Sequence, residues 1–170
     1  MITGLIFAEG APEELAVTLG ALVPAVVEGL MGDAVVVARR EDAGVMAIAE
    51  IAGATFATAP GGDPWQAGAR LARRDWLLCL QSGDVPGEGW MRAVDRFLVL
   101  ATRGERPLGR FSRRQGGLAG ALLHLAEAAA GTRTVRPGDL VQRAWLAGNK
   151  AARVRPVRLG AAIERDVGRR

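Results

Sequence analysis

Four short apolar runs alternate with stretches of helical spacing through the first hundred residues. The runs cover residues 3–8, 34–38, 55–58 and 76–80, each bounded by Gly, Pro or charged positions. Continuous apolar runs of this length, closed by turn residues, are the pattern of strands buried on both faces. Between the first two, Leu15, Leu19, Leu22, Val23, Val26, Val27 and Leu30 recur at helical spacing. That spacing predicts a helix over 13–30, with Pro12 near its start and Pro24 placed to end or kink it. Further helices are predicted over 43–51, stopped by Gly53, and over 65–73 and 89–102. Strand and helix alternate with short connections. This order predicts an α/β fold, a right-handed and mostly parallel sheet with helices on both faces.

The second half is less regular. Residues 108–112 read as a strand and 117–130 as a helix ended by Gly131. Residues 135–140 read as a turn, 141–147 as strand or helix, and 151–159 as extended chain. Residues 160–170 begin as a helix and stop. No internal repeat, linker or low-complexity segment interrupts the 170 residues, which suit one domain.

The sharpest signal is the passage from Asp75 to Trp90. The run Trp76-Leu77-Leu78-Cys79-Leu80 gives way to Gln81-Ser82-Gly83-Asp84, with Pro86, Gly87 and Gly89 following. In α/β sheets, ligands sit beyond the carboxyl ends of the strands. Gln81 to Asp84 therefore stands where a site is expected, and only part of the expected chemistry is present.

Composition narrows the classes. Hydrophobic residues are 49% of the chain and charged residues 24%, the balance of an ordinary globule with a substantial core. No apolar run approaches the roughly 18 residues of a spanning helix. The first ten residues carry no basic leader and reach an acid at Glu9, so they read as a strand rather than a secretory signal. A cytoplasmic location is the expectation. The single Cys79 excludes an internal disulfide and reads as a buried thiol, and one Cys with one His leaves no Cys/His zinc site. Net charge is +4, and arginines thicken toward the C-terminus. A solvated surface accounts for them, while peripheral contact with an anionic membrane stays open. No nucleic-acid motif accompanies them, so specific nucleic-acid binding is not expected.

Several stretches together resemble the family 2 glycosyltransferases with a GT-A nucleotide-sugar-binding fold, nearest to small bacterial members. The family's fourth strand runs "LLFLHAD", then a Pro and a Gly-Trp. Here the same stretch is Leu77 to Asp84, then Pro86 and Gly89-Trp90. Gln66 to Trp76 is similar to the approach "Q-x-x-GA-x-x-A-x-GDWLL", and Ile48 to Ala54 to "IAE-x-x-GA". Thr18 to Leu22 is similar to the family's first helix. Pro137-Gly138-Asp139 with Val141-Gln142-Arg143 faintly echoes "GDQ-x-x-F-x-R", and Leu159 to Asp166 echoes the late acidic motif.

The resemblance implies a single GT-A-like domain: 1–104 as the nucleotide-binding half and 105–170 as a truncated acceptor-side half. It also implies a nucleotide-diphosphate sugar of UDP or GDP type as partner. Where the protein is active, a Mg²⁺ or Mn²⁺ ion would be held by carboxylates and would neutralise the leaving diphosphate. Carried over residue by residue, the nucleotide-sugar positions are Ala8, Glu9, Arg39, Asp42, Gln66, Gln81, Ser82, Gly83 and Asp84. Asp84 is the metal position, and Glu164 and Asp166 are candidates for the base that deprotonates an acceptor.

The chain departs from the family at most of these places. The Asp-x-Asp place is Gln81-Ser82-Gly83, with the one carboxylate, Asp84, displaced by a residue. The second strand ends Ala38-Arg39, with no acid before Glu41 and Asp42. Simpler readings stand beside the functional ones. Asp84 can be a turn residue bonding its own backbone, and Glu41 and Asp42 read first as a helix cap. Glu164 and Asp166 can be solvated acids, and Asp139 a turn residue. His124 reads as a core-edge residue, and Trp65 and Trp90 as packing residues. Arg110, Arg113 and Arg114 read first as a solvated face, though guanidinium groups there could grip phosphates in place of a metal. Two functions follow: a glycosyltransferase-like enzyme of reduced or lost activity, or an inactive GT-A-like domain serving as a binding or assembly module with a protein partner or a second copy.

Overall fold

A computed structural model describes residues 1–101, 107–113, 127, 130–148 and 153–165. The chain begins with a strand, β1 (Ile2–Ala8), buried along its whole length. Then come α1 (Pro12–Val27), β2 (Met31–Ala38), α2 (Ala43–Ile51), β3 (Thr55–Thr58), α3 (Pro64–Leu71) and β4 (Trp76–Gln81). After β4 lie β5 (Asp84–Pro86), α4 (Trp90–Ala101), β6 (Leu108–Arg113), β7 (Asp139–Gln142), a short α5 (Arg143–Ala147) and β8 (Val157–Arg165).

Local chemistry sets most of these boundaries. Pro12 opens α1, and Glu13 and Glu14 sit in its first turn, favourable to the helix dipole. The helix passes through Pro24 and ends at Val27, three residues short of the predicted stop. Asp42 caps α2, its Oδ1 accepting the Val45 amide at 3.0 Å, as the sequence led us to expect. Asp63 caps α3 in the same way, and Pro64 takes the first helical position.

The eight strands form one sheet in the order β3-β2-β1-β4-β7-β6-β8-β5. β1 pairs in parallel with β2 and β4, as do β2 with β3 and β6 with β8. The pairs β4–β7, β6–β7 and β5–β8 are antiparallel. Side chains alternate across the sheet with period two. Ile6, Leu78 and Leu80 face α1, α2 and α4, packing with Leu15, Leu22, Trp90, Val94 and Phe97. Leu5, Phe7, Leu77 and Cys79 face α3 and α5, packing with Trp65, Ala69 and Leu146. Trp65, Trp90 and the Cys79 thiol are buried, as expected.

Two expectations change. Residues 160–165 are strand, not the start of a helix, because β8 lies between β6 and β5 and its backbone is taken up by both. Residues 84–86, expected as loop, form a short edge strand on β8, where Pro86 is tolerated. The segment 141–147 is both alternatives in turn, strand to Gln142 and helix from Arg143. The helix expected over 117–130 falls almost wholly outside the described residues, as do His124, Arg114 and Asp166.

Candidate functional site

The chain leaves β1 to build β2 and β3 on one side, then crosses back to place β4 on the other side of β1. The crevice between the carboxyl ends of β1 and β4 is thus a topological switch point, the position where open α/β sheets bind ligands. The loops 9–11 and 82–83 meet there, with Arg39 beside them at the end of β2.

Glu9 is exposed just past Ala8, and its Oε2 accepts the Gln81 side-chain amide at 2.9 Å. Gly10 has φ +100°, and a Cβ there would stand 2.8 Å from Glu14 Oε2, so the turn over α1 requires glycine. Ser82 is buried and its amide donates to the Phe7 carbonyl at 3.1 Å. Gly83, at φ +86°, donates its amide to the Glu14 carbonyl at 3.0 Å. These bonds lock the end of β4 onto β1 and the first turn of α1. Arg39 is exposed, lies over the Phe7 ring at 5.2 Å from its centroid, and donates to the Gly62 carbonyl at 2.7 Å. Its guanidinium is therefore a positioned cation at the mouth of the crevice.

Asp84 is fully buried. Both its oxygens are engaged by one guanidinium: Arg113 donates through Nη2 to Oδ1 at 2.5 Å and through Nη1 to Oδ2 at 3.1 Å. Oδ2 also accepts the Gln81 amide at 2.9 Å. Asp84 thus accepts a backbone amide three residues before it rather than in the 85–87 turn expected from the sequence, and its side chain does more. Arg165 stands opposite Asp84 in the β5–β8 register, its Nη2 3.8 Å from Glu14 Oε2. Glu164 pairs with Val85, one residue on, and so lies on the other face of the ribbon from Asp84. Asp42 is occupied in capping α2, and Gln66 sits in the first turn of α3 behind Asp63. Glu9, Gln81, Ser82 and Gly83 thus lie together at the ends of β1 and β4, with Ala8, Arg39 and Asp84 beside them, and Glu164 lies on the opposite face of the β5–β8 ribbon from Asp84. Glu14 and Arg165 join the crevice without any local sequence signal.

A solvated face does not describe the arginines of β6. Leu108 and Arg110 face the side of α3 and α5, whereas Phe111 and Arg113 face α1 and α4. Arg110 is buried and bidentate to Asp139, through Nε at 2.7 Å and Nη2 at 2.8 Å. It also donates to Glu127, which accepts from Arg136 at 2.5 Å. Burial pushes the Asp139 carboxyl above its ordinary range, with Arg110 and Arg136 pulling the other way. Desolvation works to lower the Arg110 guanidinium, yet its bonds to Asp139 and Glu127 outweigh this and raise it. This four-membered network ties β6 and β7 to the turn between residues 132 and 139 and lies outside the crevice. A second groove, of about 470 Å³, runs between α4 and β8 and is lined by Arg92, Arg96, Phe97 and Arg158.

The sheet order, its mixed pairing and the crevice at its switch point define a GT-A-like fold. Known structures share it. A mycobacterial protein solved by crystallography superposes with a TM-score of 0.66 at 14% identity, over 100% of this chain and 68% of that one. Glucosyl-3-phosphoglycerate synthase from Mycobacterium tuberculosis, in complex with Mg²⁺ and uridine-diphosphate, gives 0.65 at 13% identity, over 100% of this chain and 72% of that one. S. aureus TarS 1–349 gives 0.59 at 13% identity, over 88% of this chain and 49% of that one. At these identities the likeness is one of fold. No family model matches the chain, and no curated protein matches it.

Among these neighbours, glucosyl-3-phosphoglycerate synthase was solved with Mg²⁺ or Mn²⁺ together with uridine-diphosphate. A hard cation needs free carboxylate oxygens. The Asp84 oxygens are both taken by a guanidinium, and among the described residues no group of three His, Cys, Asp or Glu side chains could hold a metal. The residues at this position therefore do not fit a divalent ion. Among the described residues, no helix is long and apolar enough to cross a membrane.

Proposed function

We propose that this chain is a glycosyltransferase-like protein that binds a nucleotide-diphosphate sugar, of UDP or GDP type, in the crevice between β1 and β4. In this reading residues 1–104 form the donor half and residues 105–170 the acceptor-side half. The family 2 resemblance belongs to the same reading, with Gln81-Ser82-Gly83 standing in the Asp-x-Asp place. The supporting observation is that Glu9 meets Gln81 and Arg39 covers Phe7 at the switch point of a GT-A-like sheet, with Asp84 and its partner Arg113 joined to the Gln81 amide just beyond. Arg39 offers a flat cation to the base or ribose, and Glu9 with Gln81 offers acceptors and a donor to hydroxyls. Transfer would carry the sugar to an acceptor hydroxyl as the diphosphate leaves.

A second reading, an inactive binding or assembly module, is favoured by two features. The site carboxylate Asp84 is consumed by an internal ion pair. The outer faces of α1 and α2 also expose Val23, Val27 and Ile51, at 55%, 80% and 87%, the kind of apolar surface that a partner covers.

A thermal-shift panel of UDP, GDP and their sugars separates the two. A ligand at a hundred times its dissociation constant adds about 2.7 kcal/mol. A shift with one nucleotide that shrinks in Arg39→Ala is the expected result. No shift with any nucleotide transfers the weight to the module reading.

A further inference from the structure

The crevice carries a cation of its own. Asp84 opens β5 three residues beyond β4, is fully buried, and has both oxygens held by the Arg113 fork. A Mg²⁺ ion would have to approach one of those oxygens to about 2.1 Å. There it would face the guanidinium across a few ångströms and compete with it for the same lone pairs. The fork geometry and the Gln81 amide favour the incumbent.

Arg113 is not spent on this contact. A guanidinium carries five N–H donors, and the contacts to Asp84 use one from each terminal nitrogen. The side chain remains 31% exposed. The carboxylate beneath it fixes its rotamer in advance, so little freedom is lost when an oxyanion arrives. Arg165 lies across the β5–β8 ladder from Asp84, 34% exposed. Planar forks of this kind match phosphate oxygens.

We propose that Arg113, seated on Asp84 and assisted by Arg165, binds the diphosphate of the nucleotide in place of a divalent metal. Nucleotide binding by this chain is then metal-independent. The inference rests on the nucleotide-binding function proposed above and adds to it the group that meets the phosphates.

Calorimetric titration of the full chain with UDP and with GDP, in EDTA and in Mn²⁺, tests it. The expected dissociation constants agree within about twofold between the two conditions, a difference well under 1 kcal/mol. Arg113→Lys keeps the charge and loses the fork, and is expected to bind about tenfold more weakly in EDTA, the loss of one strong charge-assisted bond. Circular dichroism reports whether that variant is folded. Should it fail to fold, the comparison on the unsubstituted chain decides alone. Mn²⁺ tightening the unsubstituted chain tenfold or more overturns the inference and leaves nucleotide binding standing. A folded Arg113→Lys chain that binds as tightly as the original overturns it as well. Absence of binding in either condition overturns the nucleotide-binding function and this inference together.

Discussion

Arg110→Met is expected to destabilise the chain by about 3–5 kcal/mol, the cost of breaking a buried ion pair from one side. The substitution retains the volume of the aliphatic stem but leaves Asp139, fully buried, and Glu127, 7% exposed, short of the guanidinium that joins them. Arg136 still reaches Glu127, so part of the charge stays compensated. Urea denaturation should show a lower midpoint at unchanged slope. The loss has a pH signature. Asp139 in the folded chain already holds its proton more tightly than the unfolded chain does, through burial. For such a group, stability is fully present below the unfolded carboxyl value and is lost as pH rises through the raised folded value. Without Arg110 the folded value rises further, so the deficit should be largest near neutral pH and shrink toward acid. A loss under about 1 kcal/mol, the usual scale of an exposed pair, would show that water reaches the network.

Phe97→Ala is expected to cost about 3–5 kcal/mol, the range for a buried aromatic truncated to alanine. Phe97 is 2% exposed and meets Trp76 edge-on, with ring centroids 5.4 Å apart and planes at 88°. It also reaches β6, where a Cβ on Gly109 would lie 3.2 Å from Phe97 Cε2 and 3.1 Å from the Leu159 side chain. Phe97 thus joins β4 of the first half to β6 and β8 of the second, and the cavity would open at their seam. Loss of cooperativity in the denaturation curve, beyond the shift in midpoint, would show that the two halves uncouple when the seam is cut.

The first half of the fold is legible because its information is local. β1 and β4 are continuous apolar runs closed by Glu9-Gly10 and by Ser82-Gly83, and α2 is announced by Asp42. β8 is not legible in this way. Gly160, Ala161 and Ala162 read as the start of a helix in isolation, and only pairing with β5 and β6, distant in sequence, makes them a strand. The site divides along the same line. That Gln81 to Asp84 ends a buried strand follows from neighbouring residues. That Asp84 is gripped by Arg113 depends on β5 and β6 meeting through β8, 29 residues apart along the chain. Arg110 and Asp139 are likewise 29 residues apart, and no periodicity connects them. Of the three arginines read together near β6, strand alternation sends Arg110 and Arg113 to opposite faces, one into a structural network and one into the crevice.

A nucleotide is expected to bind in the crevice between β1 and β4. Amide chemical-shift mapping of the labelled chain, titrated with UDP and then GDP without added metal, tests it most directly. The predicted result is a set of shifted amides confined to residues 9–11, 39, 62, 81–84, 113 and 165. Shifts confined instead to the groove between α4 and β8, or saturation with neither nucleotide, would contradict it.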